Sequence, residues 1–302
     1  MLLGILFGFS AALSQSLSYV FSRLFVSRHE RGVFDLFVLS HILMAAGALL
    51  LLPFLWPEGM PGVHVYGGDL LATTLFYIAG QVGLFQALKH TDASRVAPLL
   101  GLKLPLLTVI SVVLGARFTP WQWSAVLLSV TGALALNWSG RRLPWASAAW
   151  VLWTCLGYSL SDIYIRRLME HFSGLPSISM FHRAALGTSL SYALCGVVGL
   201  ALLPGVRVRK PRVWLEAIPY SVAWFLGMLC LFGCFGQINV VFGNIIQASR
   251  GVISILFGIG LAKAGFTELE QRVPRGVLLR RLGAALLMIG AIALFYRAEL
   301  PS

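Results

Sequence analysis

Two basic residues stand where a charge must be used or neutralised. Lys103 lies between Pro98 and Pro105 in one long apolar block, and Arg250 lies near the middle of another. A charge at bilayer depth costs about 2.5–3.5 kcal/mol on insertion scales, so it persists where something pairs with it or uses it. Converging in one cavity, the two could hold an anionic group, the guanidinium bidentately and the ammonium as a point charge. The prolines about Lys103 break backbone pairing and favour a bent, cavity-lining helix. The competing reading pairs one or both cations with Asp162 or with freed carbonyl groups, in a packing role. Around Arg250, the residues Asn244, Gln247, Gly251 and Ser254 recur at helical spacing on one face. A polar stripe in an apolar span faces protein or water rather than lipid. We read it as a cavity wall, against the alternative of interhelical hydrogen bonding.

A second group of polar residues lies in two blocks far apart in the chain. Ser10, Ser14, Ser18 and Ser22 recur every four residues beside Gln15, and Thr154, Tyr158, Ser161 and Asp162 stand together in the other block. Small hydroxyl residues let helices approach closely, so most of the serines read as packing. Gln15 and Tyr158 are the better ligand contacts. Asp162 is the acid deepest in any block. It reads first as a structural partner for a cation, and second as a proton-coupling carboxylate whose affinity for protons burial would raise. His41 and His182 read as hydrogen-bonded packing, and Gln81, Gln86 and Asn239 as secondary cavity residues. Cys155, Cys195, Cys230 and Cys234 all fall inside apolar stretches and read as small packing residues, with no metal-ligand spacing. No HExxH, phosphate-binding loop or GxSxG is present. The expectation is a protein that is not an enzyme and needs no cofactor or metal.

The elements that must position these residues follow from composition. Of 302 residues, 58% are hydrophobic and 11% charged, and mean hydropathy is +0.83. So few charges cannot cover a soluble surface. Long unbroken apolar blocks, rather than alternation, exclude an outer-membrane barrel. Spanning the hydrocarbon takes about 20 helical residues. On that basis ten spans are expected at approximately 2–22, 34–55, 69–88, 95–115, 121–138, 146–167, 178–203, 213–235, 241–263 and 278–296. The apolar run after Met1 reads as a retained first span. Trp56, Trp121, Trp123 and Trp214 at span ends read as an interfacial belt. Gly4 and Gly8 form a GxxxG pair, read as packing within the bundle.

The net charge is +12. Most basic residues lie in short loops, where they anchor topology beside anionic headgroups rather than bind nucleic acid. Sixteen lie in loops after odd-numbered spans and four in the others. The positive-inside rule then puts loops after odd spans in the cytoplasm and both termini outside.

An internal repeat is also legible. Residues 16–23 read SLSYVFSR and 159–166 read SLSDIYIR; residues 132–136 read GALAL and 290–294 read GAIAL. Gln15 and Tyr158 then occupy matching positions. Two halves of five spans, 1–140 and 141–302, are expected. Five is odd, so the second half is inverted, the layout of many secondary transporters.

Ten spans, the five-plus-five duplication, the GAxAL ends and the stretch Ala87-Leu88-Lys89-His90-Thr91-Asp92-Ala93-Ser94 resemble the drug/metabolite transporter superfamily, EamA-like family. The departure is at Gly115-Ala116-Arg117 and Ala264-Gly265-Phe266, where members often carry Gly-Glu; the chain reads as a divergent branch. The resemblance implies an all-α integral membrane protein that carries small metabolites by alternating access without ATP hydrolysis. With Lys103 and Arg250, the expected cargo bears a carboxylate or phosphate, and resemblance to sugar-phosphate and nucleotide-sugar carriers agrees. The expected partners are this small molecule and the lipid bilayer, with no nucleic acid. The expected location is the bacterial inner (plasma) membrane. Rival readings are a flippase for lipid phosphates or lipid-linked sugars, an exporter of neutral amino acids using Gln247, Asn244 and Tyr158, and a non-transporting scaffold or sensor.

Overall fold

The computed structural model describes residues 1–29, 32–90, 100–137, 145–175, 178–206, 210–263 and 275–299. Thr91–Ser94 of the loop motif, Pro98, the loop residues Arg31, Arg95, Arg141, Arg142, Arg207, Arg209 and Arg272, and Ala264-Gly265-Phe266 lie outside them. Among the described residues the regular structure is helical, with no strand. In chain order the helices are α1 (Leu2–Arg28), α2 (Gly32–Leu55), α3 (Val63–His90), α4 (Lys103–Val113), α5 (Pro120–Asn137), α6 (Trp145–His171), α7 (Met180–Leu202), α8 (Pro211–Phe235), α9 (Val240–Ala248), α10 (Arg250–Lys263) and α11 (Arg275–Glu299). Short 3-10 turns precede α4 at Leu100–Leu102 and follow α7 at Leu203–Gly205.

Each expected span falls on a helical stretch. Four segments are long and apolar enough to cross a membrane by length and composition: Leu2–Arg28, Gly32–Leu55, Met180–Gly205 and Pro211–Phe235. Large apolar side chains point outward, Phe54 at 83% and Leu50 at 74% exposure. In a water-soluble chain such a surface would aggregate; against acyl chains it is the favoured one.

Three details differ from the sequence expectation. Helices α1 and α6 run on to Arg28 and His171, because a helix need not end where its hydropathy does. The expected ninth span is two helices, α9 and α10, with a turn at Ser249. Helix α11 begins at Arg275, three residues before the expected tenth span.

The chain divides into two compact units, Met1–Leu75 with Ser161–Ile238, and Phe76–Leu160 with Asn239–Ser302. The division falls within α3 and α6. It is a division by contact, separate from the duplication read at residue 140.

In the first unit α1 packs along α8 and α2 along α7. Gly4 faces Gln237 and Ile238, Gly227 faces Gln15, and His29 meets Glu216, so α1 and α8 are antiparallel. Without a hydrophobic drive between helices in lipid, close packing and polar contacts must hold them. A β-carbon at Gly196 on α7 would collide with Ala45 on α2. Trp224 Nε1 donates to the Tyr192 hydroxyl at 2.6 Å. Arg166 Nη1 donates to the carbonyls of Phe235 (2.8 Å) and Ile238 (3.1 Å), satisfying the open end of α8.

In the second unit α5 packs along α11, while α9 meets α11, α4 and α5. Phe242 and Phe295 stack with centroids 5.0 Å apart. Where α3 crosses α6, Gly80 and Gly157 lie back to back. A β-carbon on Gly157 would sit 2.7 Å from Gly80 N and 2.8 Å from Phe76 O. Backbone this close requires glycine at the crossing.

Candidate functional site

The second unit carries six of the eight candidate residues: Lys103, Tyr158, Asn244, Gln247, Arg250 and Ser254. Gln15 and Asp162 belong to the first unit.

Lys103 is the first residue of α4, directly after the 3-10 turn. A turn of that kind frees carbonyls, and α6 takes them up. Cys155 Sγ lies 4.0 Å from the Leu100 carbonyl and Ser159 Oγ donates to the Lys103 carbonyl at 3.3 Å. The Lys103 ammonium stands 5.9 Å from the centroid of the Tyr158 ring, a cation–π placement. Tyr158 in turn lies over Tyr77, with centroids 6.3 Å apart and planes 27° from parallel. Gln81 Nε2 donates to the Tyr77 hydroxyl at 3.0 Å. Tyr77 and Gln81 are both buried. The result is a file of Lys103, Tyr158, Tyr77 and Gln81 across α4, α6 and α3. Tyr77 is absent from the sequence reading. Its one signal is the four-residue step to Gln81, and in an apolar helix that step does not separate a site tyrosine from a packing one.

Arg250 is likewise the first residue of a helix, α10, directly after the turn at Ser249. There Ser249 N–H reaches back to the Ile246 carbonyl at 3.0 Å. Arg250 Nε donates to the Gln247 carbonyl at 3.0 Å, so part of the guanidinium is held by its own chain. Arg250 and Ser254 are half-buried, while Asn244 and Gln247 are buried at 7% and 2% exposure. Asn244 Nδ2 donates to the Val240 carbonyl at 3.0 Å. Asn239 is the N-cap of α9, its Oδ1 accepting from Val241 N–H at 2.8 Å.

The two cations therefore share a local construction. Each opens an α-helix after an interruption in its span. The N-terminal end of a helix presents unpaired N–H groups and a positive dipole end. A basic side chain at the same point adds to that field, and the combination suits an anion.

In the first unit, Gln15 is buried and its Nε2 lies 3.5 Å from Met228 Sδ. Asp162 is 4% exposed. Ser18 and Ser22 donate to carbonyls of their own helix, Gln15 O and Tyr19 O. His41 Nδ1 donates to Phe37 O at 2.7 Å and His182 Nε2 to Leu55 O at 2.8 Å. Among the described residues no group of three or more His, Cys, Asp or Glu could hold a metal ion.

Comparison with known proteins agrees with the fold. A chain of a solved crystal structure superposes with a TM-score of 0.68 at 17% identity, covering 98% of this chain and 99% of its own. That likeness speaks to the fold alone. No curated protein matches the chain. The model of the EamA-like transporter family matches residues 2–138. Over those residues, less than half of its length, the chain is similar to the EamA-like transporter family.

Proposed function

We propose that the protein moves a small anionic metabolite, bearing a carboxylate or a phosphate, by alternating access. One observation carries this reading: Lys103 and Arg250 each begin a helix after a break in an apolar span, and both belong to the second unit. Two cations and two helix N-termini would together favour negative charge. Broken spans whose N-termini face anionic groups are a recurring device in secondary transporters.

The reading includes two inverted five-helix halves, 1–140 and 141–302. Packing within each unit supports it. Shifting by five spans exchanges α4·α5 with α9·α11 and returns α2·α7 and α5·α11 to themselves, and all four contacts are made. Tyr158, Gln247, Asn244 and Ser254 would line the cargo site. The loop charges place both termini outside the cytoplasm of a bacterial inner membrane.

Thermal-shift screening against carboxylated and phosphorylated metabolites tests the cargo class. A ligand at 100 times its Kd stabilises the folded state by about 2.7 kcal/mol. Lys103→Ala and Arg250→Ala should remove that shift and abolish uptake while leaving the protein folded. Wild-type uptake in both variants would end the anion reading.

A further inference from the structure

We propose that two histidine–carboxylate pairs in the first unit are proton-binding sites, one at each membrane face, each fastening its own end of the unit when the water there is acidic. His29 Nε2 donates to Glu216 Oε2 at 2.9 Å. His171 Nε2 donates to Asp69 Oδ2 at 2.7 Å. All four residues belong to the first unit, and none contributes to the cation site of the second.

The pairs share one construction. His29 caps the C-terminal end of α1, and Glu216 lies in the second turn of α8, the antiparallel partner. His171 is the last residue of α6, and Asp69 lies in the second turn of α3. Helix dipoles favour a cation at a C-terminus and an anion near an N-terminus, so both pairs are built for imidazolium with carboxylate. In sequence, 147 residues separate Asp69 from Glu216 and 142 separate His29 from His171. The arrangement is therefore made twice, by matching ends of two helix pairs.

They sit at opposite ends of the unit. Glu216 is near the start of α8, whereas Arg166, little more than a turn before His171, holds the carbonyls of Phe235 and Ile238 at its finish. From Glu216 to Phe235 the helix runs about 28 Å at 1.5 Å per residue, close to the thickness of the hydrocarbon.

Each pair is reached by water yet partly shielded, with side-chain exposures of 17% and 18% for His29 and Glu216, and 29% and 21% for His171 and Asp69. Histidine is the side chain whose charge changes between about pH 5 and 8. With imidazolium, the contact is a charge-assisted hydrogen bond, about twice as strong as a neutral one. The attraction is thus present on the acid side and falls as pH rises. Among the described residues the charged groups bonded at His29 are Glu216 and, through it, Arg212, whose Nε donates to Glu216 Oε1 at 3.1 Å. At His171 the bonded charged group is Asp69, while Glu170, one residue earlier on α6, is taken up by Arg166 Nε at 2.7 Å. Among the described residues, one carboxylate is bonded to one imidazole in each place.

Hydrogen exchange on the full chain in lipid nanodiscs, at pH 5.5 and 8.0 and corrected for intrinsic rates, reads each end separately. In wild-type protein, peptides covering 24–29 with 211–216, and 63–69 with 166–171, should exchange about 3-fold faster or more at the higher pH. His29→Gln should flatten that response at the first end only, and His171→Gln at the second only. Glu216→Gln and Asp69→Asn supply the same two arms if a histidine variant fails to fold. A response unchanged in all variants, or no response in wild-type protein, overturns the proposal. Because no cargo is involved, the outcome is independent of the anion reading.

Discussion

Two helix crossings, α1 on α8 in the first unit and α3 on α6 in the second, use the same notch with different fillings. In the first, Gly227 leaves room for Gln15; its added β-carbon would meet Gln15 Cγ at 2.7 Å. In the second, Gly80 leaves room for Tyr158, whose ring carbon would be met at 2.6 Å. Gly80 and Gly227 stand 147 residues apart, as Asp69 and Glu216 do. The filling sets the role. Gln15 ends against a thioether, a weak acceptor, within a packed seam. Tyr158 ends between Tyr77 and the ammonium of Lys103, in a cation–π placement. One glycine-notched frame thus holds a glutamine seam in one place and an aromatic–cation file in the other.

The comparison can be broken by substitution, most sharply at Gly157. Its neighbours are backbone atoms of Gly80 and Phe76, which cannot turn away. Gly157→Leu should prevent assembly of the α3·α6 crossing, seen as loss of monodisperse protein in detergent. Gly157→Ala should cost about 1–3 kcal/mol, as overpacking does, and lower Tm. Arg166→Ala comes next. It removes two hydrogen bonds that close the end of α8, and a loss of about 1–3 kcal/mol is expected in thermal denaturation. Gly227→Ala should cost less than Gly157→Ala, about 1 kcal/mol or under, because most of the clash falls on a rotatable glutamine. Equal costs would show that the two notches are not different in kind. Gly68→Ala is the smallest change. No neighbour lies within 4 Å, so α3 should gain about 0.4–1 kcal/mol from the restricted unfolded chain.

Much of the fold was legible because lipid imposes a simple demand. Every backbone polar group must be satisfied internally, so long apolar blocks become helices. The helices accordingly coincide with the expected spans, from α1 to α11. Their ends were less legible. His171 extends α6 beyond its apolar block, because helix pairing continues in the headgroup region where hydropathy no longer signals it. The candidate site was legible as residue types and not as an arrangement. Lys103 and Arg250 stood out because charge is costly in an apolar span. Tyr77 did not, because an aromatic residue in such a span carries no cost to betray it.

Residue identity and spacing alone determined the membrane class, the helical spans and the presence of cations within apolar blocks, since each follows from transfer energies that act residue by residue. The tertiary structure alone decided that α9 stops at Ala248 so that Arg250 begins a new helix, that Tyr158 lies beneath the Lys103 ammonium, and that His29 and His171 each find a carboxylate on an antiparallel neighbour. Those are contacts between segments up to 187 residues apart. Their partners are chosen by which helix faces pack closely, a property of glycine notches meeting across the bundle rather than of any one stretch of chain.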